Sequence, residues 1–210
     1  MLIDPPGVTE GGGDDWNPGD PSRQPRARYV VGDVDVFVTA ERVQYYGPEG
    51  KLITESLRDY TRKAVRKDYT SLDDFLRRWN GAELKAAILR ELEQHGIFFE
   101  MLAEEVGKDF DPFDMICHVA FDQPPLTRRE RIEQVRKRNY FTKYGDQARK
   151  VLETLLEKYA DTGIENIEDI KVLTLDPFKT MGTATELVSA FGGRPSYVAA
   201  VQELEKQLYS

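Results

Sequence analysis

The chain has 210 residues, of which 40% are hydrophobic and 31% are charged, and its formal net charge is −8. This composition is typical of a globular protein and far from that of disordered or membrane proteins, since no apolar run approaches the roughly 20 residues that a membrane-spanning helix needs. The acidic balance argues against a protein that coats nucleic acid over its whole surface, and the lone Cys117 argues against a disulfide framework.

Residues 1–26 are rich in glycine, proline and aspartate. They carry too few contiguous apolar residues to offset the entropy lost on ordering, so this stretch is predicted to be a flexible, acidic linker. The opening MLIDPPGVTEGGGDD has neither the basic nor the apolar region of a secretory signal, so we expect a protein that stays in the cytoplasm.

A small β meander of two hairpins is predicted for residues 27–55. Apolar and polar residues alternate in RYVV and VDVFV around Gly32 and Asp33, which form a two-residue turn signal. The second hairpin is predicted from RVQYY and KLIT, joined by GPEG at 47–50. Isolated hairpins are marginal in water, so we expect the meander to pack against the rest of the domain.

Helices are predicted for nearly all of 56–210. Asp111 followed by Pro112 is one helix start, and a hydroxyl residue three positions before an acid marks four others. These four starts are Ser56, Ser71, Thr127 and Thr183. Helix ends are predicted at Gly96, Gly107, Gly145, Gly163 and Gly192.

Two amphipathic stripes indicate how the helices pack. The clearer stripe consists of Ala148, Val151, Leu152, Leu155, Leu156 and Tyr159. The last helix repeats the spacing with Val198, Val201, Leu204 and Leu208. No internal repeat is evident, so the predicted fold class is mainly α, a compact helical bundle with the small N-terminal β meander.

The motifs do not indicate a catalytic centre. The string GPEGKL at 47–52 lacks the spacing and the final hydroxyl residue of a phosphate-binding loop. Asp35, Glu49 and Lys51 superficially offer the acids and lysine of a Mg²⁺-dependent nuclease, but the last two flank a glycine in a predicted turn rather than lying on rigid elements. Glu83 and Lys85 are interpreted as a solvated pair on a helix. We therefore predict no catalytic, cofactor-binding or metal residue, with an independent nuclease as a remote alternative.

The two histidines have structural explanations. Cys117 and His118 are adjacent and point in different directions on a helix, so they cannot chelate one metal ion together. Asp114 and His118 share a helix face, and no nucleophile motif surrounds them, which favours a hydrogen-bonded core or interface histidine. His95 precedes Gly96 at a predicted helix end, where contact with the helix dipole is a sufficient explanation.

Basic residues are concentrated in two helical segments and are the candidates for contact with a partner or with DNA. The first segment, 127–150, has nine basic and three acidic residues. The candidates are Arg128, Arg129, Arg131, Arg136, Lys137, Arg138 and Lys143, together with an i, i+4 stripe of Arg58, Arg62 and Arg66. Solvated faces, protein docking and DNA backbone contact all remain open. Tyr140, Phe141 and Tyr144 have a spacing that suits either base stacking or burial.

Several strings resemble the C-terminal region of the R (restriction) subunit of type I restriction enzymes, in the EcoEI-like group. The most specific is DPFDMICHVAFDQPPLTRRER at 111–131. AERVQYYGPEGKLITESLRDY and DPFKTMGTATELVSAFGG carry the likeness toward the two ends. The resemblance covers residues 27–210 nearly end to end.

The resemblance implies that 56–210 form a helical assembly domain. R subunits of that family join a nuclease and an ATP-driven DNA motor to a methyltransferase core, and their C-terminal region is implied to dock the motor onto the methylation and specificity subunits. ATP, Mg²⁺ and S-adenosylmethionine are implied for the whole complex, and no residue here matches their sites. The helix that begins after Thr127 is expected to face a protein partner. The alternative is a clamp on the backbone of duplex DNA.

Overall fold

The computed structural model describes residues 27–31, 34–39 and 42–210. The linker predicted for 1–26 lies outside the described residues, as do the turn residues Gly32 and Asp33. The mainly helical fold class predicted from the sequence is confirmed.

The N-terminal part of the described chain is an antiparallel sheet of four strands in the order β1-β2-β3-β4. The strands are β1 (Ala27–Val31), β2 (Val34–Thr39), β3 (Arg42–Tyr46) and β4 (Leu52–Ser56). The two predicted hairpins are confirmed, and pairing of β2 with β3 joins them into one meander. The second hairpin closes through a hydrogen bond of 3.0 Å from Gly47 N to Lys51 O.

Ten α-helices follow the sheet within the described residues. They are α1 (Leu57–Asp68), α2 (Leu72–Gly81), α3 (Lys85–Gln94), α4 (Phe99–Val106), α5 (Pro112–Phe121), α6 (Arg128–Lys137), α7 (Asp146–Thr162), α8 (Glu165–Glu168), α9 (Ala184–Ser189) and α10 (Arg194–Leu208). Short 3-10 turns lie at Tyr140–Lys143, Ile170–Thr174 and Phe178–Thr180. Within the described chain, none of the helices has the length and apolarity needed to cross a bilayer.

The predicted helix starts are confirmed in atomic detail. Each capping side chain accepts a hydrogen bond from a backbone N–H of the first turn, which satisfies one of the orphan donors at a helix N-terminus. The caps are Ser56, Ser71, Asp111, Thr127 and Thr183. At the two threonines the acid three residues on also accepts from the cap, which completes a capping box.

The predicted helix ends are correct except at Gly145. Gly96 has φ +91°, and a Cβ added there would lie 2.6 Å from the Tyr60 hydroxyl, so only glycine fits. Gly145 instead precedes Asp146 as the N-cap of α7, and its φ of −66° is open to any residue. The prediction was wrong there because a 3-10 turn, not an α-helix, precedes it.

One hydrophobic core joins the sheet to the helices. Every residue of the stripe predicted on α7 is buried. On α10 the prediction was wrong for Val198, which is 40% exposed, whereas Tyr197 is buried. Successive helical residues point about 100° apart, so a stripe that contains Tyr197, Val201 and Leu204 turns Val198 toward solvent.

Candidate functional site

Arg131, a candidate for partner contact, is buried inside the domain at 6% exposure. Its Nε and Nη2 donate to the two carboxylate oxygens of Asp114 at 2.6 and 2.8 Å, and Nη1 donates to Leu208 O. The guanidinium carbon lies 4.9 Å from the centre of the Phe113 ring and 5.1 Å from that of Tyr209. Burial by itself lowers the pKa of Arg131, but the hydrogen bonds to Asp114 and the negative charge of that carboxylate together outweigh burial and raise the pKa overall. Arg131 therefore joins α6, α5 and the end of α10 inside the domain.

Two other arginines, Arg128 at the start of α6 and Arg138 just after its end, bind the C-terminal ends of neighbouring segments. Arg128 donates to Ala160 O in the last turn of α7 at 2.9 Å, and to two further carbonyls before α5. Arg138 donates to Gln207 O at 2.8 Å and to Ser210 O at 2.9 Å, at the end of α10. Carbonyls at a helix C-terminus lack intrahelical donors and carry partial negative charge, so arginine is well suited to them.

The remaining candidates of the 127–150 segment lie on the surface. Arg136 pairs with Glu133 and Glu157, and Lys143 pairs with Glu203. Arg129 has a side chain that is 74% exposed and lies 3.9 Å from Asp161, and Lys137 is exposed.

The aromatic residues of this segment are mainly part of the core. Tyr140 and Phe141 are each 8% exposed, and Tyr144 is partly buried. The Tyr140 hydroxyl donates to Ala200 O of α10 at 2.9 Å. Of the two uses left open by their spacing, the structure shows burial.

The arginine stripe of α1 lies along the C-terminal end of α5. Arg62 Nε donates to Val119 O and Arg66 Nε to Ala120 O, each at 2.9 Å. Arg62 Nη2 also pairs with Asp122 at 2.5 Å. Arg58 Nη2 lies 2.9 Å from His118 Nε2. The i, i+4 spacing therefore presents three guanidinium groups to successive acceptors of one neighbouring helix.

The histidines take part in contacts between elements. The other ring nitrogen of His118, Nδ1, lies 3.0 Å from Gln123 O, so this half-buried ring is held between α1 and the loop after α5. Asp114 shares its helix with His118 but binds Arg131 instead. Burial raises the pKa of the Cys117 thiol to about 12. His95 pairs with Asp68 at the end of α1.

The residues weighed as a nuclease site lie on β2 and at the turn between β3 and β4. Glu49 and Lys51 are exposed in and beside the turn between β3 and β4, and the side chain of Asp35 lies outside the described set. Across the described residues, no group of three histidine, cysteine, aspartate or glutamate side chains is placed to hold a metal ion.

A cavity of about 370 Å³, which we call the acidic cleft, lies among the start of α3, α8 and α10. Its acids are Glu83, Glu165, Glu168, Asp169 and Glu205. Sequence reasoning missed this site because its members come from three separate segments, with Lys85 of α3 lying 83 positions from Glu168 of α8, and local spacing carries no signal for such a meeting.

The floor of the acidic cleft carries buried charge. Glu205 Oε2 lies 3.9 Å from Lys85 Nζ, and both side chains are 3% exposed. The interpretation of Lys85 as half of a solvated pair was therefore wrong, although Glu83 is exposed as expected. Burial raises the pKa of Glu205 to about 8 and lowers that of Lys85. Glu168 accepts hydrogen bonds from Lys85 N and Ala86 N, so it caps the start of α3.

Comparison with known proteins identifies the family. The model for the family described as EcoEI R protein C-terminal matches residues 55–209. The chain belongs to this family. The resemblance to the C-terminal region of type I R subunits is thus confirmed.

The chain is also 58% identical, over 183 residues, to the type I restriction enzyme EcoAI endonuclease subunit of Escherichia coli. The alignment covers 87% of the chain and 23% of that relative, so the chain spans about a quarter of the relative's length. No solved structure matches the chain. The family match includes α1 to α10, and hence the arginine contacts and the acidic cleft.

Proposed function

We propose that this domain from the C-terminal region of an R subunit is a non-catalytic assembly module, which docks the ATP-driven translocase and nuclease of a type I restriction enzyme onto its methylation and specificity subunits. Family membership supports placing the domain in the R subunit of a type I restriction enzyme. In this proposal ATP, Mg²⁺ and S-adenosylmethionine act elsewhere in the complex, and the domain contributes surface rather than chemistry.

One observation favours docking over the alternative, a clamp on duplex DNA. Most of the arginines that the sequence suggested for phosphate contact bind carbonyl or carboxylate groups of the domain itself. Arg131 is buried, and Arg62, Arg66, Arg128 and Arg138 bind backbone carbonyls at the ends of helices. A DNA clamp needs many cations turned outward, because affinity for duplex arises from neutralising phosphates.

The test is co-purification of the chain with the methylation and specificity subunits, repeated with free duplex DNA as competitor. Docking predicts that the association survives the competitor. It also predicts that the isolated chain binds duplex weakly, with a Kd of about 10⁻⁴ to 10⁻⁶ M at physiological salt.

The variants for this test are Arg129→Glu and Lys137→Glu, because both side chains are exposed and the fold does not depend on them. Under the clamp alternative, the logarithm of DNA affinity falls steeply with the logarithm of salt concentration, and each substitution at a phosphate contact lowers that slope by about one. Steep, variant-sensitive DNA binding with no association to the subunits would overturn the docking proposal.

A further inference from the structure

We propose that the acidic cleft receives an arginine or lysine side chain, flanked by aliphatic residues, from a protein partner of this domain. The inference rests on the proposed docking function and specifies the chemistry of one contact. Five carboxyl groups and two cations, Arg90 and Arg194, line the cleft, and a third cation, Lys85, lies beside Glu205 under its floor. The cleft is therefore suited to an incoming cation.

The floor of the cleft has unused hydrogen-bonding capacity. Tyr197 is 3% exposed, and its hydroxyl oxygen is buried with no hydrogen-bond partner. Buried polar groups are nearly always paired, so the unpaired hydroxyl of this lining residue is a candidate acceptor for an incoming donor. A guanidinium group carries five N–H donors and an ammonium three, and both can supply a donor to this oxygen.

Glu205 forms the second part of this floor. Its nearest described cation, the ammonium group of Lys85, is 3.9 Å away, beyond hydrogen-bonding distance. A cationic side chain inserted beside Glu205 would favour the ionised carboxylate, which burial disfavours in the unoccupied cleft.

The lining of the cleft is apolar where a side-chain stem would pass. Leu84 is 49% exposed and Val198 is 40% exposed, and both line the cleft. Lysine and arginine bury their methylene stems against apolar surface while the charged group reaches a polar site. Aliphatic residues beside the basic residue of the partner would cover the rest of Leu84 and Val198.

Other occupants fit less well. The excess of carboxyl groups repels nucleic acid phosphates. Among the residues that the structure describes, no three acidic, histidine or cysteine side chains are placed to bind one metal ion. A basic side chain with an apolar stem matches both the charge and the exposed aliphatic residues, and the docking function supplies it from a protein.

The first experiment measures association of the full chain with the methylation and specificity subunits. In the test variant, Glu83→Lys and Glu165→Lys reverse two exposed lining charges. The matched control reverses two exposed acids away from the lining, Glu104→Lys and Glu153→Lys. We expect the test variant to weaken association by about tenfold or more and the control by less than about twofold. Equal affinity of both variants would overturn the cleft as a docking contact while leaving docking itself intact.

The second experiment does not depend on the subunits. The peptide acetyl-Val-Arg-Val-amide is titrated into the full chain while backbone amide NMR signals are followed, with the uncharged citrulline peptide as control. We expect saturable shifts at Ala86 and Val198 with the arginine peptide, and none with the citrulline peptide or in the Glu83→Lys, Glu165→Lys variant.

The two experiments separate the two proposals. If the chain does not bind the subunits at all, the docking function fails, and the peptide still decides whether the cleft recognises a basic side chain. Absence of shifts at millimolar peptide, or equal shifts with both peptides, would overturn the cleft proposal.

Discussion

Arg131 binds both carboxylate oxygens of Asp114, with Nε to Oδ2 at 2.6 Å and Nη2 to Oδ1 at 2.8 Å. Both side chains are almost completely removed from solvent. The pair lies beside Phe113 and Tyr209, and Asp114 also accepts from Leu126 N at 2.9 Å before α6 begins. The specific string at 111–131 thus contains both partners of a central structural contact of the domain.

Replacing Arg131 with methionine is expected to destabilise the domain by about 3 to 5 kcal/mol, because it leaves the Asp114 carboxylate buried without its cation. The control is Arg129→Met on the same helix, whose exposed side chain should change stability by less than about 0.5 kcal/mol. Urea denaturation followed by circular dichroism measures both. Equal midpoints for the two variants would show that the pair contributes little.

Arg66→Ala is expected to lower the free energy of unfolding by about 1 kcal/mol, since it removes a charged donor from the Ala120 carbonyl at the end of α5. Lys67→Ala is the matched control, because Lys67 is the next residue of α1, is exposed and carries the same charge. Thermal unfolding distinguishes the two. A larger loss for Lys67→Ala would contradict the assigned contact.

Glu205→Gln is expected to make stability less dependent on pH between about 4.5 and 8. Burial and then the charge of Glu168 raise the folded-state pKa of Glu205, Lys85 and Lys206 lower it, and the net pKa is about 8. The folded chain therefore holds a proton that the unfolded chain releases, so this group stabilises the fold below pH 4.5 and loses that contribution as pH rises to 8.

The slope difference between wild type and Glu205→Gln cannot exceed about 1.4 kcal/mol per pH unit, the value for one proton. Chemical denaturation at several pH values from 5 to 9 measures it. A wild-type protein that gains stability relative to Glu205→Gln as pH rises would show that the sign is wrong and that Lys85 keeps Glu205 ionised.

The purified chain with Mg²⁺ and either ATP or duplex DNA is expected to show no turnover. Glu49 is exposed in a turn, where a metal site would lack rigid neighbouring elements. Phosphate release and DNA cleavage assays test this expectation. DNA cleavage that disappears in a Glu49→Ala variant would contradict it.

Short-range features of this protein were predictable from the sequence. The caps at Ser56 and Thr127 bind backbone groups only three residues away, so the residues that decide them are adjacent in the chain. The α7 stripe follows from helical geometry in the same way. Val198 shows the limit of prediction from helical spacing. It is a hydrophobic residue on an amphipathic helix, but packing against neighbouring elements buries a different side of that helix.

The roles of the charged residues required the tertiary structure. Arg131 reaches Leu208, 77 positions away, and Arg62 reaches Asp122, 60 positions away. A basic stripe looks the same in sequence whether it faces solvent, phosphate or the carbonyls of another helix. The acidic cleft could not be predicted from the sequence for the same reason, because Lys85, Glu168 and Glu205 belong to three different helices.

By itself the sequence determined the helical class, the meander, the helix starts and the family of this protein, because these depend on residue order and on contacts within a few turns. Only the tertiary structure decided which charges are buried and paired and which remain at the surface. Burial is a property of packed neighbours, and the desolvation that makes Arg131 structural and raises the pKa of Glu205 exists only once distant helices have come together.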